Sequence, residues 1–253
     1  MQFELVPLLE IQRELYAMPR GGDRFKHYIA TLTGGGDDID LLPLGALNPM
    51  AKPHVAAYVE ALIDLRGEDV VAEALNKAAA RLSGAGGRLK VGLAVADDAQ
   101  GGWTNRFFSE AGMRFDLKAA LARGWASVVC WSSEPPTAAG IYAETLASAY
   151  RSAYVAAHGP AATLAQRMRQ EGAASLFAHA SGPALDEDEL AYTREVIAPY
   201  RDSDAYPAIM ACLYGDEAAA SLGYPTLGLS PRAGYAVALA EARQRGDEPE
   251  ALL

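Results

Sequence analysis

Hydrophobic positions recur with a helical period through the first third of the chain. Leu8, Ile11 and Leu15 share one face of a helix predicted over residues 7–18, with Pro7 suited to its first position. Phe25, Tyr28, Ile29 and Leu32 repeat the spacing before the glycines from Gly34 stop it. Val55, Tyr58, Val59 and Leu62 mark a third helix, which Pro53 leads into. Val71, Leu75, Ala78, Ala79 and Leu82 line a fourth over residues 68–82. Between the second and third helices, residues 35–52 combine Asp37, Asp38 and Asp40 with Leu41, Leu42, Leu44 and Leu47. Connections of this length are functional or disordered, and the leucines favour packing on the body.

The period changes after Gly84. Leu89, Val91, Leu93 and Val95 alternate with Lys90, Gly92 and Ala94, which predicts a strand. Gly92 and Ala94 leave one face nearly bare, so a close neighbour is expected there. A second strand is predicted over residues 125–132, and Phe115 to Arg123 reads as the helix of a βαβ crossover. Helical spacing then returns over residues 137–157, where Tyr142, Leu146, Tyr150 and Tyr154 form a stripe. His158-Gly159 closes this helix and Pro160 starts the next. Asp186 and Glu189 have capping-box spacing, and Ser230-Pro231 suits the cap of a last helix. The apolar run Ala208 to Tyr214 fits a third strand or a short buried helix, and a strand near Leu176-Phe177 is the other place for one. These elements predict a helix-rich α/β fold: a helical segment over residues 1–83, then a small, partly parallel sheet covered by helices over residues 84–253. The boundary at Gly84 is also compatible with a single domain.

Composition narrows the function classes. A formal charge of −10, with no Lys/Arg-rich run, argues against nucleic acid and anionic membranes as partners. No apolar stretch approaches the roughly 20 residues of a membrane helix, and the first residues lack the features of a signal peptide. Two separated cysteines, Cys130 and Cys212, favour a reducing, cytoplasmic setting. The four histidines show no metal-ligand spacing and read as structural or surface residues. Dinucleotide, Walker and nucleophile-elbow motifs are absent.

The stretch from Asp97 to Arg106 holds the densest candidate chemistry. Ligands of parallel α/β sheets bind outside the carboxyl ends of the strands, and Asp97 and Asp98 fall at such an end. Two adjacent carboxylates suit Mg²⁺ with retained waters, or a general base. Trp103, Thr104 and Asn105 offer a wall, a hydroxyl and an amide, and Arg106 suits an anionic group. Glu134, with Ser132 and Ser133 at the end of the second strand, is placed to face the Asp pair. The same residues also make an ordinary turn and helix cap. The aspartate and glycine run is superficially similar to the ribose-phosphate loop of phosphoribosyltransferases. Its spacer is only Ala99-Gln100 and Trp103 intervenes before Thr104, so that pattern is not met.

The leading expectation is therefore an enzyme acting on a small anionic metabolite. Asp97, Asp98 and Glu134 would be catalytic, Trp103, Thr104, Asn105 and Arg106 substrate-binding, and Asp97 and Asp98 the ligands of any Mg²⁺. A non-catalytic module that binds a protein or metabolite, using the leucine-rich loop over residues 39–47 or a helical face, is the second class. A structural subunit of a homo-oligomer is the third.

Overall fold

The computed structural model describes all residues from Met1 to Leu253 and shows a helix-rich α/β fold. The chain forms twelve α-helices and one three-stranded parallel sheet of order β1-β2-β3: β1 (Gln2–Leu5), β2 (Arg88–Ala96) and β3 (Trp125–Trp131). Both strands predicted from the sequence are present, and they are parallel neighbours. The third strand is formed by Gln2–Leu5 and by neither the Ala208–Tyr214 run nor Leu176-Phe177, both of which are helical. It pairs with β2 from Gln2↔Arg88 to Leu5↔Val91, so the sheet joins residues on both sides of Gly84. No helix is long and apolar enough to cross a membrane.

Contacts along the chain fall into two units. The first comprises residues 1–104 and 119–149, the second residues 105–118 and 150–253. The first holds the sheet together with α1 (Leu9–Ala17), α2 (Gly22–Thr33), α3 (Pro53–Asp64) and α4 (Gly67–Arg81). The helix α7 (Ala138–His158) contributes residues 138–149 to it.

β2 is the central strand, and its second half is buried on both faces, as Val91 to Ala96 show. A strand covered on two sides reads as a continuous apolar run, which is why alternation fades after Lys90. The bare face at Gly92 is filled by side chains. A Cβ there would lie 2.4 Å from Leu8 Cδ1 and 2.9 Å from Pro43 Cγ. Pro43 belongs to a 3₁₀ turn, Leu42–Ala46, inside the long connection, and Leu44 and Leu47 are buried with it. That connection packs on the body, as its leucines predict.

Because β1 stops at Leu5, the upper half of β2 has no strand on that side. The buried side chain of Gln12 on α1 replaces one: its Nε2 donates to Leu93 O at 2.8 Å and its Oε1 accepts from Val95 N at 3.0 Å. On the same helix, the backbone N–H groups of Leu8 and Leu9 donate to Glu68 Oε1 of α4, at 2.6 and 2.9 Å. These groups have no partner inside α1, so a carboxylate from a distant helix caps it.

The second unit is all helical. It contains α5 (Arg106–Phe115), the end of α7, α8 (Leu164–Phe177), α9 (Glu187–Ile197), α10 (Tyr206–Tyr214), α11 (Asp216–Ser221) and α12 (Ala233–Arg245). The ambiguous run around Ala208 is the helix α10, every residue of which from Ile209 to Tyr214 is buried. Asp186 caps α9, accepting from Glu189 N at 2.8 Å, but the Glu189 carboxylate takes the Ser230 hydroxyl instead of closing a box. Ser230 is thereby withdrawn from capping α12, which starts three residues later behind Arg232. A reciprocal capping box does occur, at Thr163 and Gln166 ahead of α8.

Candidate functional site

In the first unit, polar side chains gather at the carboxyl ends of β2 and β3, where the chain leaves the sheet. Asp97 follows the last residue of β2 and is only 2% exposed. Its Oδ2 accepts from Asn48 Nδ2 at 2.8 Å. Its Oδ1 lies 2.8 Å from His54 Nε2 and 3.2 Å from Ser132 Oγ. Each partner arrives for a local reason. His54 sits in the first turn of α3, behind Pro53, and Asn48 lies in the connection that packs beneath the strand ends. Asn48 is itself fixed, for its carbonyl accepts from Tyr16 OH and its Oδ1 from Met50 N.

Ser132 follows β3 and ties the two strand exits together. Its hydroxyl oxygen accepts from the backbone N–H groups of Asp98 and Ala99, both at 3.2 Å. It is also 3.2 Å from Asp98 Oδ1, so its single proton serves one of two aspartates at a time. Asp98 turns outward to Ser133, accepting from its N–H at 2.9 Å and from its hydroxyl at 2.7 Å.

The histidine geometry sets the chemistry. With Nε2–H donated to Asp97, a neutral imidazole keeps its lone pair on Nδ1. That Nδ1 is buried and has no hydrogen-bond partner. Buried polar atoms are almost always paired, so this acceptor stands out. One helical turn on, Tyr58 lies near the same strand ends: burial raises its hydroxyl, and Cys130, Glu134 and Asp98 add to the effect. Burial, with Glu144 and Glu134 adding to it, pushes the Cys130 thiol up to about 12, which leaves it neutral and inert near pH 7. Glu134 is exposed on the turn after β3, and its charge is felt at both Tyr58 and Cys130.

The remaining predicted residues divide between the units. In the first, Trp103 is 57% exposed, and Thr104 Oγ1 is buried without a partner. The loop that carries them doubles back tightly, since a Cβ on Gly102 would lie 2.1 Å from Asp97 O. Lys52 Nζ, two residues before His54, holds this loop by donating to Gln100 O at 2.5 Å. Asn105 and Arg106 belong to the second unit. Asn105 caps α5, accepting from Phe108 N, while Arg106 faces Glu110 at 3.5 Å. Arg106 is thus part of a buried ion network and not a free anion grip.

The donor set does not fit Mg²⁺. Asp97 is surrounded by N–H and O–H donors from Asn48, His54 and Ser132, and no three His, Cys, Asp or Glu side chains are grouped to hold a metal ion. A hard cation would need those carboxylate oxygens turned to itself and to water.

His54 and Asn48 are the site residues that sequence reasoning missed. The signal for His54 was a histidine at a helix start, one turn before Tyr58, which is ordinary by itself. Comparisons of the chain with protein-family models, with characterised proteins and with solved structures find no match.

Proposed function

We propose that the protein is an enzyme performing acid–base chemistry on a small anionic metabolite at the carboxyl ends of β2 and β3. The observation that supports this best is the His54–Asp97 pair: a 2.8 Å contact to a buried carboxylate, with the opposite ring nitrogen buried and unpartnered. Asp97 fixes the tautomer and would stabilise the imidazolium formed when Nδ1 takes a proton. Asn48 and Ser132 hold Asp97 in place, acting as positioning residues. Lys52 supplies a positive charge beside the site, and its exposed contact with Gln100 O is one that an anionic ligand group can replace. Trp103 and Thr104 are the nearest candidates for a ligand wall and a hydroxyl contact. Glu134 and Asp98 bias the rim toward negative potential, and the proposal routes no proton through them.

The test begins with a thermal-shift screen of carboxylated and phosphorylated metabolites, followed by turnover assays of the ligands found. His54→Gln and Asp97→Asn should each lower kcat by roughly 10²–10⁴, the usual share of a positioned base. His54→Gln should leave ligand binding nearly intact. Turnover undiminished in His54→Gln would sink the proposal.

A second reading is favoured by the completeness of the Asp97 hydrogen bonds: the cluster staples the connection over residues 46–54 to the sheet of a binding module. In that case both substitutions lower the melting temperature, and no ligand is turned over by the wild type.

A further inference from the structure

A cavity of about 290 Å³ opens in the second unit where α7 ends and α8 begins. Tyr154, His158, Pro160, Gln166, Arg169 and Leu252 form most of its wall. We propose that this cavity is a binding site for a small carboxylate with an apolar or aromatic body. It is separate from the His54–Asp97 site and does not depend on the reading given to that site.

Two unengaged donor groups, on Arg169 and Gln166, stand in the wall. Arg169 is exposed and makes no ion pair or hydrogen bond within the protein, so its planar fork is available to an oxyanion. Its charge reaches the cavity: burial raises the Tyr154 hydroxyl, and Arg169 is the group that pulls it back. Gln166 uses its Oε1 to accept from Ala162 N and Thr163 N, at 2.8 and 3.2 Å, which leaves its amide N–H₂ without a partner. His158 donates Nε2–H to Leu252 O at 2.6 Å, a contact that fixes the ring and one edge of the cavity together. No acidic side chain lines the wall. The nearby Asp247 is held by Arg245 at 2.7 Å.

The remaining surface is apolar and planar. Pro160 and Leu252 contribute aliphatic wall, and the Tyr154 and His158 rings pack with centroids 4.5 Å apart. One unpaired guanidinium matches one negative charge, and the volume falls at the small end of ligand cavities. Such a wall selects a monoanion with a compact hydrophobic part over a hydrated inorganic dianion. The site escapes sequence reading because Arg169 and Gln166 occupy an exposed helix face, where a solvated charge is the ordinary reading.

Benzoate, its neutral isostere benzamide and inorganic phosphate separate the contributions. Isothermal titration of the full chain should give benzoate a Kd of about 1 mM or tighter, with benzamide and phosphate at least tenfold weaker. Arg169→Ala, at an exposed position that leaves the fold intact by circular dichroism, should weaken benzoate about tenfold or more, and Arg169→Lys by less. His54→Gln should leave benzoate binding unchanged, so failure here is distinguishable from failure of the proposed catalytic site. The proposal is overturned by no benzoate binding at about 10 mM. It is equally overturned by benzamide or phosphate matching benzoate, or by an Arg169→Ala variant that binds as the wild type does.

Discussion

Glu110 is a single carboxylate, 4% exposed, surrounded by Arg114 at 2.9 Å, Arg232 at 2.6 Å and Arg106 at 3.5 Å. Burial alone would raise it, but the three guanidinium groups outweigh burial and hold it down to about 2. A depressed carboxylate stabilises the fold above its unfolded value near 4.5, and that contribution disappears as pH falls through about 2. Glu110→Gln should therefore cost on the order of 3 kcal/mol at pH 7. The gap from wild type should close between pH 4.5 and 2 in denaturant titrations; a gap independent of pH would show that packing, not charge, sets the cost. Arg232 adds a residue-scale constraint, because it holds Glu110 from a left-handed backbone with φ of 59°. The cysteines behave in the opposite sense. Burial pushes both Cys130 and Cys212 up to about 12, so a disulfide reagent at pH 8 should label them only after denaturant unfolds the chain. Prompt labelling of the folded protein would contradict that placement.

At the scale of elements, β2 depends on groups outside any strand. Gln12→Leu keeps the volume but strands Leu93 O and Val95 N, at about 1–3 kcal/mol for each unmet group. Calorimetry should show a loss of about 2–6 kcal/mol, and a neutral result would mean that the strand edge finds other partners. Gly92→Ala adds a methyl where Leu8 and Pro43 already sit, and overpacking of this kind costs about 1–3 kcal/mol.

The same elements explain what was legible. The helical spacing of Val55, Val59 and Leu62, or of Val71, Leu75 and Ala78, survives because each helix has one buried face and enough turns to display it. The strands β2 and β3 were legible from alternation and from an apolar run. β1 was not, since the four residues Gln2–Leu5 are too few to show a period. The α10 run, buried on every side, shows no amphipathic period either, so helix and strand could not be told apart. In the candidate site, Asp97 and Asp98 were visible as polar residues ending an apolar strand. Asn48 and His54 were not, because their partner lies 49 and 43 positions away and no local pattern records that pairing. Arg106 looked available because a sequence does not show that Glu110, one helical turn on, is buried against it.

Charge is the property that belongs to the whole molecule. The chain carries 32 Asp and Glu against 22 Lys and Arg, a formal excess of −10 at pH 7. Positive charge is nevertheless gathered in the second unit, where Arg106, Arg114, Arg151 and Arg232 form an ion-pair network around Glu110 and Glu171. The excess of acid therefore falls on solvated surface, where like charges repel one another and salt screens them over roughly 8–10 Å. Raising NaCl from about 10 to 150 mM should increase the melting temperature of the wild type, because screening relieves repulsion faster than it weakens exposed pairs such as Arg88–Glu4. The buried network responds differently, since ions do not reach it. The deficit of Glu110→Gln should thus remain at about 1 M salt. Melting curves of both proteins across the salt series test the two statements together. A wild-type melting temperature that falls with salt would place the balance in surface ion pairs, and a vanishing deficit would place Glu110 within reach of solvent.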